Sequence, residues 1–145
     1  MAVIENFQRA QEKNMKIFAT RFKPNQDLKK SLKEFVNLNN IQAGFILSGV
    51  GSLKQANLRF AGQSENQLLR EKFEIVSLVG TLSIHGIHLH ISLANKEGKT
   101  LGGHLVDGCI IYTTAEIVVG ESQDHTFSRT LDEQTGFQEL LVKKK

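Results

Sequence analysis

Between Ile87 and Leu93 the chain alternates without interruption, with Ile87, Leu89, Ile91 and Leu93 set against His88, His90 and Ser92. A period of two puts each set on its own face of a β-strand, so this stretch predicts a strand buried on one side and polar on the other. His88 and His90 then project from the same face, roughly 6–7 Å apart along the backbone. At that separation both imidazoles reach a single divalent ion, which binds neutral imidazole nitrogen at about 2.0–2.1 Å. Four of the chain's five histidines fall between Thr81 and His104, so imidazole is concentrated here rather than scattered.

A third histidine depends on the turn that follows. Asn95-Lys96-Glu97-Gly98-Lys99 reads as a hairpin loop with glycine where a positive φ is needed. If the loop is Lys96-Glu97-Gly98, pairing is centred on Glu97, His90 lies opposite His104, and His88, His90 and His104 share a face. A two-residue loop of Glu97-Gly98 instead puts Ile91 opposite His104, on the wrong face. A bulge at Gly102-Gly103 would also change the parity. His85, beside a glycine that can redirect it, and His125 stay outside the predicted set. Three neutral imidazoles suit zinc best among divalent metals, with nickel, copper or cobalt allowed by ligand type. Cys109 is the only cysteine, which excludes a closed Cys-rich structural site and an internal disulfide.

At 145 residues, 40% hydrophobic and 23% charged, the chain fits one globular domain with a sizeable core. No apolar run approaches the roughly 20 residues needed to span a bilayer, and the first residues carry no signal-peptide core. The expectation is a soluble, cytoplasmic protein with no membrane partner. The net charge of +3 is accounted for by Lys143, Lys144 and Lys145, since 18 basic residues less these three leave 15 against 15 acidic. They read as a short solubilising tail offering at most a weak, salt-sensitive and sequence-blind attraction to nucleic acid.

Taken in order, residues 1–14 read as an irregular arm and Met15–Phe22 as a first strand. Asp27 caps a helix whose apolar face is Leu28, Leu32, Phe35 and Val36, ending at Asn39-Asn40. GFILSGV and LKQANLRF read as two strands separated at Gly51-Ser52, where Gly49-Val50-Gly51-Ser52 predicts a tight turn. Gln63–Arg70 reads as a loop or short helical excursion. Lys72–Ile84 is a long strand in which Gly80 marks a bend or close contact. Ile110–Val119 and His125–Leu131 are further strands, the first too apolar to stay uncovered on a small domain without a partner subunit, followed by Gly136-Phe137 and a polar tail. Many strands with one helix predict an α+β domain on a mainly antiparallel or mixed sheet. Glu74 and Glu116 are candidate buried or half-buried carboxylates, with Arg59 or Arg129 as structural partners. There is no P-loop, dinucleotide-binding glycine motif or nucleophile elbow.

Several stretches together resemble the plants-and-prokaryotes conserved (PPC) domain. They are Ser48-Gly49-Val50-Gly51-Ser52-Leu53, Leu58-Arg59-Phe60, Phe73–Gly80, His88–Leu93, Gly102-Gly103-His104-Leu105 and Thr114-Ala115-Glu116, with Phe127 and Arg129 fitting a closing aromatic-x-basic element. The resemblance covers roughly residues 15 to 142 and is of the stand-alone prokaryotic type. It implies an α+β fold and a homotrimer. Plant members carry the domain behind AT-hook motifs in nuclear proteins, and this chain has no Arg-Gly-Arg-Pro hook. Plant members also lack histidines matching His88, His90 and His104, so a metal belongs to the prokaryotic branch. Two function classes follow. One is a trimeric, DNA- or transcription-associated module with a histidine metal site and a nucleic-acid or protein partner. The other is a metal-dependent enzyme whose three imidazoles leave a fourth position for activated water.

Overall fold

The computed structural model describes residues 14–145, so all of the expected N-terminal arm but Asn14 lies outside the described residues. The elements are β1 (Met15–Phe22), α1 (Leu28–Leu38), β2 (Gly44–Arg59), β3 (Gln67–Leu69), β4 (Phe73–Ser83), β5 (Gly86–Ala94), β6 (Thr100–Leu105), β7 (Ile110–Ser122), β8 (His125–Leu131) and β9 (Gln138–Lys144). This is the α+β class expected, with every strand pairing antiparallel. Among the described residues no helix is long and apolar enough to cross a membrane.

The helix forms where its cap and its apolar spacing agree. The Asp27 side chain accepts from the Lys30 amide at 3.0 Å, satisfying one of the first-turn donors. Its other oxygen accepts from the Gly108 amide at 2.7 Å, tying the helix start to the β6–β7 turn. Leu28, Leu32 and Val36 are buried, and Phe35 meets Phe18 and Phe22 edge-on at 6.0 and 6.3 Å. The helix stops at Asn40, in the left-handed region at φ 49°. There the Ile41 amide reaches back to the Val36 carbonyl at 3.0 Å and the Asn40 amide to that of Asn37 at 3.1 Å, a Schellman closure.

Seven strands form one sheet in the order β1-β7-β2-β4-β5-β6, with β3 on β2. β6 also pairs with the far end of β2 through Leu58↔Leu105 and Arg59↔His104, so the sheet curls back on itself. The core is the inner surface of that curl, with Leu53, Leu58, Leu82, Leu89, Leu93 and Ile111 fully buried. β8 and β9 form a separate hairpin.

Four expectations are corrected. Gly49–Ser52 is not a turn, because β2 runs through it as one bulged strand. Gly51 serves close approach to β7 instead, since a Cβ there would overlap the Thr114 carbonyl. Gln67–Leu69 is a short strand rather than a loop or helical turn. The tail after Phe137 is β9, whose Lys143 and Lys144 pair with Thr126 and His125. Ile110–Val119 is apolar because β7 is an interior strand between β1 and β2, and not because it awaits a partner.

Gly80 is the close contact its position suggested, with φ 148° and a Cβ that would overlap the His88 carbonyl. Gly80→Ala should therefore push β4 from β5 and destabilise the fold by on the order of 2 kcal/mol. A urea midpoint matching that of the unsubstituted protein would contradict it.

Candidate metal centre

The histidine face is set by the β5–β6 turn. The Asn95 carboxamide oxygen accepts from the Glu97 and Lys99 amides, each at 3.0 Å. The Asn95 amide reaches the Lys99 carbonyl, the Gly98 amide reaches the Asn95 carbonyl, both at 2.9 Å, and Gly98 takes φ 78°. The loop is thus Lys96-Glu97-Gly98, and pairing runs without a shift from Ala94↔Thr100 to His90↔His104. Gly102 and Gly103 make no bulge. A Cβ on the first would lie 2.5 Å from the Ile91 carbonyl, and on the second 2.7 Å from that of Arg59. These two glycines let β6 fit between β5 and the end of β2.

On the outer face His88, His90 and His104 come together with ligand-competent nitrogens all within 4.8 Å of one another. The Nε2 atoms of His88 and His90 are 3.2 Å apart. Two nitrogens at tetrahedral angles on one ion, each about 2.0–2.1 Å from it, stand about 3.3 Å apart. Ring centroids are 5.0 Å (His88–His90), 5.2 Å (His88–His104) and 5.6 Å (His90–His104) apart, so the rings surround a common point. The group has the geometry and donor type to hold a divalent ion. His85 is exposed on the β4–β5 turn, and the His125 Nδ1 is engaged with the Ser122 hydroxyl at 2.7 Å. Neither joins the cluster.

The charges around the cluster favour neutral imidazole, the form that ligates. Partial burial, then the Arg59 guanidinium, lowers His104 to about 4. Partial burial, then Arg129, lowers His88, with Glu139 opposing. Burial raises the Cys109 thiol to about 11. That thiol donates to the Asn57 carbonyl at 3.3 Å, a packed group rather than a nucleophile.

The β8–β9 hairpin covers one side of the histidine face. Between them is a cavity of ≈ 490 Å³ walled by Arg59, Ile87, His88, Arg129, Phe137 and Glu139, among others. Arg129 donates from Nη2 to the Thr81 hydroxyl at 2.8 Å, and Thr81 pairs with His88. Glu139 accepts from the Thr135 hydroxyl at 3.0 Å. Glu74 and Glu116, expected to be buried or half-buried partners of these arginines, are instead exposed. Among the described residues the buried carboxylate is Glu121, which accepts from the Gln42 amide at 2.9 Å. Sequence reading missed Glu139 because it missed β9. The signal available was the Asp132–Gly136 turn, with Leu140 and Val142 alternating after it.

A curled antiparallel sheet with one capped helix and a histidine cluster on its outer face defines a metal-competent β-domain. The chain belongs to the family of the Plants and Prokaryotes Conserved domain (PCC, also written PPC), whose profile matches residues 9–123. Phe127 and Arg129 lie beyond that match. Two Synechococcus proteins named bifunctional protein GlmU are 49% identical over 131 and 129 residues, and the chain spans about a fifth of their length (21% and 20%). A hypothetical protein of Salmonella superposes at TM-score 0.88 with 38% identity, over 90% of this chain and 95% of that one. A metal-containing protein of Archaeoglobus fulgidus gives 0.77 and 30%, over 87% and 93%. A candidate DNA-binding protein of Bacteroides thetaiotaomicron gives 0.77 and 26%, over 86% and 91%.

The lowered histidine values carry a sign. Below about pH 6.5 the unfolded chain takes up protons that folded His88 and His104 resist. That difference favours unfolding, so stability present above about pH 6.5 is lost as the pH falls toward about 4 for His104. Urea unfolding of the metal-free protein between pH 7 and 4 should show the decline, and His104→Gln should shrink it. An identical decline in that variant would contradict the assignment.

Proposed function

We propose that this chain is a PPC-domain module that holds a divalent metal, zinc by donor type, through His88, His90 and His104. The observation that carries the reading is the 3.2 Å separation of the His88 and His90 Nε2 atoms on a face that His104 shares. The metal-containing relative from Archaeoglobus supports it. A domain whose imidazoles fill three positions of a tetrahedral ion leaves the fourth to water or to a ligand. Elemental analysis of zinc-loaded protein should find one metal per chain. His90→Ala should abolish retention and His125→Ala leave it intact. Retention unaffected by His90→Ala would end the three-histidine reading.

A catalytic use of the centre is the second reading, and one observation favours it. Glu139 lines the same cavity as His88, giving the site a carboxylate within the concave region where a metal-bound water would be deprotonated. A DNA-associated role is the weaker reading. It draws on the name of the Bacteroides relative and on Lys143–Lys145, while the rest of the chain is balanced at 15 basic and 15 acidic residues.

The assembly we propose is a homotrimer, which the family resemblance implies. The outer face supports it. Gly51 pairs with Ile75, which sets Val50 beside Val76, and these two with Val79 are 53–57% exposed on neighbouring strands. Light scattering at micromolar concentration should give three times the chain mass. A monomer mass would refute the assembly.

A further inference from the structure

The metal reading uses the three histidines and leaves two cations beside them without a task. Arg59 is fixed by the sheet, because it pairs with His104 at the far end of β2. Arg129 arrives from the opposite side on β8. Its guanidinium is tied to the Thr81 hydroxyl at 2.8 Å. Its stem crosses Gly86 so closely that a Cβ there would stand 3.0 Å from Arg129 Cγ. Both side chains border the cavity of ≈ 490 Å³ into which His88 and His104 also face, and Ile87 and Phe137 give it apolar walls.

Two half-buried guanidiniums that border one cavity from different strands repel each other, and an anion placed between them would offset that repulsion. Guanidinium presents a planar fork of donors that fits the paired oxygens of a carboxylate or phosphate. Among the described residues Glu139 is the one carboxylate lining the cavity, and the Thr135 hydroxyl already holds it. Arg59 and Arg129 against Glu139 leave a local charge of +1 before any metal is counted.

We propose that Arg59 and Arg129 form an oxyanion site over the histidine face, binding the carboxylate or phosphate group of a small molecule whose apolar part lies against Ile87 and Phe137. The proposal rests on the metal reading only in that the same group would occupy the open position on the ion. The arginines themselves are placed by the fold.

The test uses the full chain loaded with cobalt(II), whose visible absorption reports on its ligands, titrated with inorganic phosphate, with acetate, and with acetamide as the neutral isostere of acetate. Phosphate or acetate should change the spectrum saturably and acetamide should not, with the tighter anion identifying the group bound. Arg59→Gln and Arg129→Gln should each weaken that anion about tenfold or more while retaining one cobalt per chain, and Arg59→Lys and Arg129→Lys should recover part of the loss. Anion binding unchanged in both glutamine variants, or no saturable response in cobalt-loaded protein, overturns the proposal. A chain that takes up no cobalt sinks the metal reading instead. Calorimetric titration of that metal-free chain with phosphate and acetate then decides the arginines alone, with arginine-dependent binding supporting the site and its absence overturning it.

Discussion

The register between β5 and β6 is the constraint on which the rest of the site depends. A shift of one residue would carry His104 through to the core face and bring a leucine or glycine outward in its place. Three local features prevent it. The Asn95 side chain holds two amides of the loop, Gly98 takes the left-handed conformation, and the bare backbones of Gly102 and Gly103 let β6 approach β5 on one side and β2 on the other. None of the three supplies an imidazole, yet together they decide whether the cluster has two members or three.

Much of this was legible because it is local. The period-two run at Ile87–Leu93 gave the strand and its polar face, the loop centred on Glu97 was one of two registers the turn residues allow, and Asp27 with Leu28, Leu32 and Val36 gave the helix. What was not legible came from distant partners. Gly49–Ser52 has the composition of a turn. Its conformation is decided by Thr114 and Ala115 on β7, whose backbone lies where a side chain at Gly51 would have to go. β9 was hidden for a similar reason, because a short strand ending in two lysines is a strand only through pairing with β8. Once β9 was missed, Glu139 could not be placed. Arg59 and Arg129 were visible as cations, but their convergence needs the return of β2 onto β6 and the folding of β8 over β4.

The family match and the site divide the chain differently. The matched residues 9–123 contain the whole sheet, all three histidines and Arg59. Arg129, Phe137 and Glu139 belong to the hairpin beyond it. The histidine floor of the cavity thus lies inside the matched span, and one wall is supplied from outside it. The GlmU-named relatives are similar over 131 and 129 residues, a length greater than the family match itself.

That hairpin is attached to the rest of the molecule lightly and at few points, among them the Phe127 amide on the Gln42 carbonyl and the Arg129 guanidinium on Thr81. A wall held this way can be exchanged with little cost to the sheet beneath it, since no core strand pairs with it. Substitutions in the hairpin would alter what the cavity admits and leave intact the imidazoles at its base. The imidazole face and the wall above it are then free to change at different rates, the first fixed by a turn and two glycines, the second rewritten in the twenty residues of one hairpin.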